Sequence, residues 1–141
     1  LLGGFLNLQR HIALGLAHEA AAILDPEDFL PAVAQGAIGL VAREGDARTQ
    51  EALARITHAA LSEAVAAERA FLGVLDGSCR TPIAGHATLG PDGVRLKGLV
   101  LSPDGRRFFE GVETGAEARA VGEALGRRIK AQLPADIFAV H

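Results

Sequence analysis

Cys79 is the only cysteine in 141 residues, and it stands in Leu75-Asp76-Gly77-Ser78-Cys79-Arg80-Thr81-Pro82-Ile83-Ala84-Gly85. Small neighbours such as Gly77 and Ser78 let a bulky group approach the backbone. Arg80 next to the thiol favours the thiolate, the reactive form. A lone cysteine is also often a small buried hydrophobe, and that reading stays open. A cysteine nucleophile would need a general base. His58 and His86 are the candidates, and neither lies in a recognisable local signature. A zinc site would need several Cys or His at ligand spacing, and a redox pair would need a second Cys. His18-Glu19 starts like a zinc helix, but position 22 is Ala where a second His is required.

Another candidate is Glu68, which falls on an apolar helical stripe between Val65 and Leu72. A carboxylate there must find donors or change its protonation. It is either a structural group bonded to backbone N–H groups or an Arg, or a direct participant in chemistry.

The elements that must position these groups follow from periodicity. Leu1, Phe5, Leu8, Ile12 and Leu16 predict an amphipathic helix within residues 1–24, weakened by Gly3, Gly4 and Gly15. Residues 37–42 read as a short buried strand that lacks a partner in the first 36 residues. Asp46 is placed to cap the helical pattern of residues 49–72, and Thr57-His58 marks a break within it. Beyond Cys79 the period becomes two. Ile83, Ala87 and Leu89, then Val94, Leu96, Gly98 and Val100, alternate with other residues, and a third run follows over residues 108–114. Two Pro-Asp-Gly turns separate these runs, predicting a three-stranded antiparallel meander. Ala118, Val121, Leu125, Ile129 and Leu133 then form one face of a helix over residues 116–133. Arg127, Arg128 and Lys130 gather at its C-terminal end, where the helix dipole favours them. Residues 137–140 form an apolar tail suited to a last edge strand. The expected class is α+β: a C-terminal three-stranded antiparallel sheet with helices packed on one face, preceded by a partial α/β segment.

Composition excludes several roles. The formal net charge is −3 and no basic block stands out, which argues against nucleic acid as a partner. No apolar run reaches the ~18 residues of a membrane span. A single cysteine suits a reducing compartment, and a cytoplasmic location is expected. The chain contains no Met and begins Leu1-Leu2-Gly3-Gly4, which suggests the C-terminal part of something longer.

Three segments, in order and spacing, resemble one family. Residues 75–83 are similar to the cofactor-attachment loop of the porphobilinogen deaminases, also called hydroxymethylbilane synthases. Leu30-Pro31-Ala32-Val33-Ala34-Gln35-Gly36-Ala37-Ile38-Gly39 resembles the family's Pro-Ala-x-Gly-Gln-Gly-Ala segment. Ala67-Glu68-Arg69-Ala70-Phe71-Leu72 resembles its Glu-Arg helix. The resemblance runs from about residue 16 to the C-terminus. There are departures: Ala34 stands where the family usually has Gly, Ser78 replaces a second Gly, and Val41 sits where Glu is common.

The resemblance implies a transferase of heme biosynthesis. It would join four porphobilinogens, with loss of ammonia, onto a dipyrromethane held by the Cys79 sulfur. Cys79 would anchor a growing linear oligopyrrole, and Gln35 and Gly36 would bond pyrrole substituents. The family's catalytic Asp and most carboxylate-binding Arg residues lie in its N-terminal half, so no catalytic residue is expected in this chain, and no metal. Activity would then need that half, in a monomeric full enzyme. The implied domains are 1–36 (end of domain 2 and hinge), 37–57 (a segment returning through domain 1) and 58–141 (the cofactor-carrying domain). The competing readings are a non-catalytic pyrrole-binding scaffold and an unrelated α+β domain with an inert cysteine.

Overall fold

A computed structural model describes residues 14–16, 18, 21–77 and 81–138. Its elements run α1 (Ala47–Ala54), α2 (Ala59–Val74), β1 (Ile83–Gly90), β2 (Gly93–Leu101), β3 (Phe108–Gly115) and α3 (Ala118–Lys130). The strands form one antiparallel sheet in the order β1-β2-β3. The fold is the α+β arrangement expected.

The helices begin where the sequence supplies acceptors for orphan N–H groups. Asp46 caps α1, accepting from the Thr49 amide at 3.1 Å and the Thr49 hydroxyl at 2.7 Å. At the expected break, His58 caps α2 by accepting from the Leu61 amide on Nδ1 at 3.2 Å. Glu117 caps α3, accepting from Arg119 and Ala120. The first hairpin is tight: Gly90 pairs with Gly93, leaving Pro91-Asp92 as a two-residue loop. Gly93 has φ +104, and a Cβ there would lie 2.3 Å from the Gly115 carbonyl oxygen. Only glycine fits that turn. The second hairpin is wider and is knitted by Ser102, which is buried. The Ser102 amide donates to the Arg107 carbonyl, while the Ser102 hydroxyl accepts from the Arg107 amide.

Strand alternation decides which face is buried. Val94, Leu96, Gly98 and Val100 of β2 face the helices, while Arg95, Lys97 and Leu99 face the other way. Phe71 from α2 and Leu125 from α3 meet over Gly98, where a Cβ would stand 2.6 Å from the Phe71 ring. The core is completed by Ala67, Val121, Ile129 and Ile83.

Several expectations are corrected. The buried apolar stripe of α2 is Ala64, Ala67 and Phe71 rather than the one through Val65 and Leu72. The reason is close helix packing. Gly122 of α3 sits directly on the Ala67 carbonyl, so small residues of α2 must face it. Residues 37–42 form no strand, and Ile38, Leu40 and Val41 are exposed. A strand needs a hydrogen-bonding neighbour, and this segment pairs with no described strand. Residues 137–138 are a turn, with Ile137 tucked into the core, while 139–141 lie outside the described residues. Most of the helix expected within residues 1–24 also lies outside them. Its described part, 14–16 and 21–24, is not α-helical, and Gly15 has φ +71. The apolar face of α3 matches the expected periodicity: Ala118, Val121, Leu125 and Ile129 are buried.

Candidate cofactor-attachment site

Cys79, with Ser78 and Arg80, lies outside the described residues, but both legs of its loop are defined. The incoming leg is the end of α2. There Asp76 adopts φ +51, and the Gly77 amide donates back to the Leu72 carbonyl at 3.1 Å. A Cβ on Gly77 would lie 2.4 Å from Leu72 Cδ1 and 2.8 Å from Ile83 Cδ1. A side chain at 77 would therefore require Leu72 and Ile83 to shift their side chains. Lys130 Nζ donates to the Val74 carbonyl and to Asp76 Oδ2, both at 2.7 Å, tying the leg to the end of α3. The outgoing leg enters β1. The Leu101 amide donates to the Pro82 carbonyl at 2.9 Å, and Ile83 is buried. Both described ends of the cysteine loop are thus tied down.

The second candidate segment docks on the outer edge of the same strand. The Gly85 amide donates to the Pro31 carbonyl at 3.0 Å, and Ala32 bridges Ala84 in antiparallel fashion. The chain then turns, with Ala34 at φ +57. Glu68, 7% exposed, accepts from the Ala34 amide on Oε2 at 2.7 Å and from the Ala87 amide on Oε1 at 2.8 Å. It is the structural carboxylate bonded to backbone N–H groups, one of the two readings its position allowed. Gln35 and Gly36 follow on the exposed side of this turn. The structure therefore attaches the Gln-Gly turn and the cysteine loop to one strand, the first along its edge and the second at its beginning.

The two histidines raised as bases sit elsewhere in function. His58 is a helix cap. His86 lies on the sheet face away from the helices, opposite Lys97. Periodicity alone missed a strap across that same face. Arg95 donates through both terminal nitrogens to Glu27 at 2.9 and 3.2 Å, and Lys97 Nζ donates to the Glu27 carbonyl at 2.7 Å. In the sequence, Asp25-Pro26-Glu27-Asp28 suits a turn or a helix start and gives no sign of this pairing. Three carboxyls are held below the usual range. Asp46 is lowered by the Thr49 hydroxyl and amide, Asp104 by the Ser102 hydroxyl and the Arg106 amide, and Glu123 by Arg119 and Arg127. All three are surface caps or pairs. Among the described residues no cluster of three His, Asp or Glu side chains could hold a metal ion. No described helix is long and apolar enough to cross a membrane.

Two family models match the chain in turn. One describes the dipyrromethane cofactor binding domain of porphobilinogen deaminase and covers residues 7–51; the other describes the C-terminal domain of the same protein and covers residues 62–131. The chain belongs to the porphobilinogen deaminase family. Among curated relatives, the porphobilinogen deaminase of Paracoccus denitrificans is 45% identical over 95% of this chain and 44% of its own length. That of Nitrobacter winogradskyi is 46% identical over 80% of this chain and 35% of its own length, and that of Nitrobacter hamburgensis 40% identical over 90% and 41%. The chain thus spans less than half the length of these porphobilinogen deaminases. Gln35 and Gly36 fall in the segment matched by the cofactor-binding model, and Cys79 falls in the segment matched by the C-terminal model. The residues present fit a covalently held dipyrromethane. A single thiol stands between two immobilised legs, and an exposed primary amide, which can both donate and accept, lies on a turn docked to the same strand.

Proposed function

We propose that this chain is the cofactor-anchoring portion of a porphobilinogen deaminase, a transferase that joins four porphobilinogens with loss of ammonia. The observation that carries this reading is the arrangement at β1: the segment matched by the cofactor-binding model is docked on the strand that the cysteine loop enters. Cys79 holds the dipyrromethane through a thioether, a bond that survives repeated turnover. The group, when bound, supplies the nucleophilic pyrrole carbon that primes chain growth. The small residues around Cys79 leave room for the growing linear oligopyrrole. Gln35 and the backbone at Gly36 bond pyrrole substituents. The catalytic residues come from an N-terminal half, so the 141-residue chain alone does not turn over.

In this reading residues 1–36 end the second domain, 37–57 return through the first, and 58–141 form the third. The boundary at 57/58 coincides with the break between α1 and α2 and lies between the two matched segments. The exposed Ile38, Leu40 and Val41 take strand partners in the first domain. The complete enzyme is a cytoplasmic monomer.

The test is intact mass spectrometry. The chain is mixed with the N-terminal half of the Paracoccus relative and given porphobilinogen. The expected result is added mass equal to two linked pyrrole units on Cys79, deaminase turnover by the mixture, and neither with Cys79→Ser. Loading equal in Cys79→Ser and the parent chain overturns the assignment. Because the chain spans 44% of that relative, a second reading is a pyrrole-binding scaffold. Pyrrole mass on Cys79 without turnover by the mixture would favour it.

A further inference from the structure

We infer that Glu68 is a positioning residue for the cofactor site, acting through the backbone turn that carries Gln35. This inference rests on the proposed function above. Glu68 projects from α2, yet neither of its bonds is to its own helix. One carboxylate oxygen accepts from Ala34 at 2.7 Å and the other from Ala87 at 2.8 Å. These two amides belong to chain segments that meet only at the edge of the sheet. Ala87 lies on β1 with its amide pointing outward, away from β2. Ala34 sits one residue before Gln35 in the left-handed region, which costs an alanine energy that a neighbouring bond must offset.

Chemistry restricts what can serve here. An ionised carboxylate accepts at both oxygens, whereas a primary amide accepts at one end and donates at the other. Glutamine at 68 would set its NH2 group against one of the two backbone N–H groups. The buried carboxylate therefore does two things together: it closes the edge of β1 and locks the turn onto it. The cysteine loop enters the same strand four residues after Cys79. Fixing the turn to β1 fixes Gln35 relative to Ile83, the buried first residue of the strand that follows the cysteine loop. Without Glu68, the backbone of residues 31–36 is still tied to the strand by the Ala32–Ala84 bridge, which includes the Gly85 amide to Pro31 carbonyl bond.

The test compares Glu68→Gln, Gln35→Ala and the double variant, each in the complete 141-residue chain mixed with the N-terminal half of the Paracoccus relative. Amide hydrogen exchange and the fraction of Cys79 carrying pyrrole mass after porphobilinogen addition are both read. Glu68→Gln should speed exchange at Ala34 and Ala87 about tenfold, the loss of roughly one hydrogen bond, while β2 and β3 stay protected. It should lower pyrrole loading to the level of Gln35→Ala, which leaves exchange at Ala34 unchanged. The double variant should load no worse than the poorer single one, because both act through one contact. Adding Ala34→Gly to Glu68→Gln should restore part of the loading, since glycine takes the left-handed conformation freely. Unchanged exchange at Ala34 overturns the inference. So does faster exchange with normal loading, or additive losses in the double variant. Should Glu68→Gln unfold the chain, Ala34→Gly/Glu68→Gln is read in its place; loading equal to the parent chain then overturns the inference. Absence of pyrrole mass on the parent chain overturns the proposed function itself, and this inference with it.

Discussion

The sharpest test of the helix layer is one methyl group placed at two positions. A Cβ at Gly122 would stand 2.1 Å from the Ala67 carbonyl oxygen, 2.8 Å from Ala70 Cβ and 2.9 Å from the Phe71 amide nitrogen. Two of these three atoms are backbone, so no rotamer change relieves the clash. Ordinary contact begins near 3.4 Å, and α3 would have to retreat from α2 by more than an ångström. The retreat loosens Phe71, Leu125 and Ile129, all fully buried. Overpacking of this kind costs about 1–3 kcal/mol, and the backbone character of the clash favours the upper end. Alanine's better helix propensity returns about 1 kcal/mol. Gly122→Ala should therefore lose ~2 kcal/mol, roughly a thirtyfold fall in the folded-to-unfolded ratio. Gly73, near the end of α2, has nothing within 4 Å of its would-be Cβ. Gly73→Ala should gain up to ~1 kcal/mol from the same propensity difference. Urea denaturation followed by circular dichroism compares the two. Equal stability of both variants, or a stabilised Gly122→Ala, would refute the close α2–α3 approach.

Two further outcomes are expected. Phe71→Ala should cost about 3–5 kcal/mol, and Gly98→Ala added to it should recover part of that loss by filling space the ring vacated; calorimetry on the double variant checks the sign. The Asp104 carboxyl, held low by Ser102 and the Arg106 amide, contributes stability that is present above its unfolded pKa and lost as pH falls through its folded one. Carboxyl NMR titration should find Asp104 below the ordinary Asp range, and Ser102→Ala should move it upward; no movement would refute the hydroxyl as the main cause.

Much of the C-terminal fold was legible because its signals are local. Alternation in Val94, Leu96, Gly98 and Val100, and the two Pro-Asp-Gly turns, need no distant residue to be read. The same holds for the cap at Asp46 and the helix break at Thr57-His58. The core face of α2 was misread because large aliphatics were followed, whereas Ala64 and Ala67 were selected by the approach of Gly122. The segment at 37–42 was misread for the opposite reason. Its composition suits a strand, but a strand exists only when paired. The candidate site divides in the same way. Cys79 and Glu68 could be singled out from residue type and setting, and Gln35 from the family resemblance. The link from Glu68 to Ala34 and Ala87 could not, because it joins a helix face to two backbone amides remote in sequence.

The sequence by itself determined that this chain carries one thiol between a helix and a meander, in the motifs of a known family. Local propensity and covalent chemistry suffice for that. Only the tertiary structure decided that the Gln-Gly turn lies along β1, the strand that follows the cysteine loop, that Glu68 ties that turn to the strand, and that Lys130 holds the end of α2 before the loop. Those relations depend on which surfaces pack together, and packing is settled by shape and backbone hydrogen bonding across the whole fold.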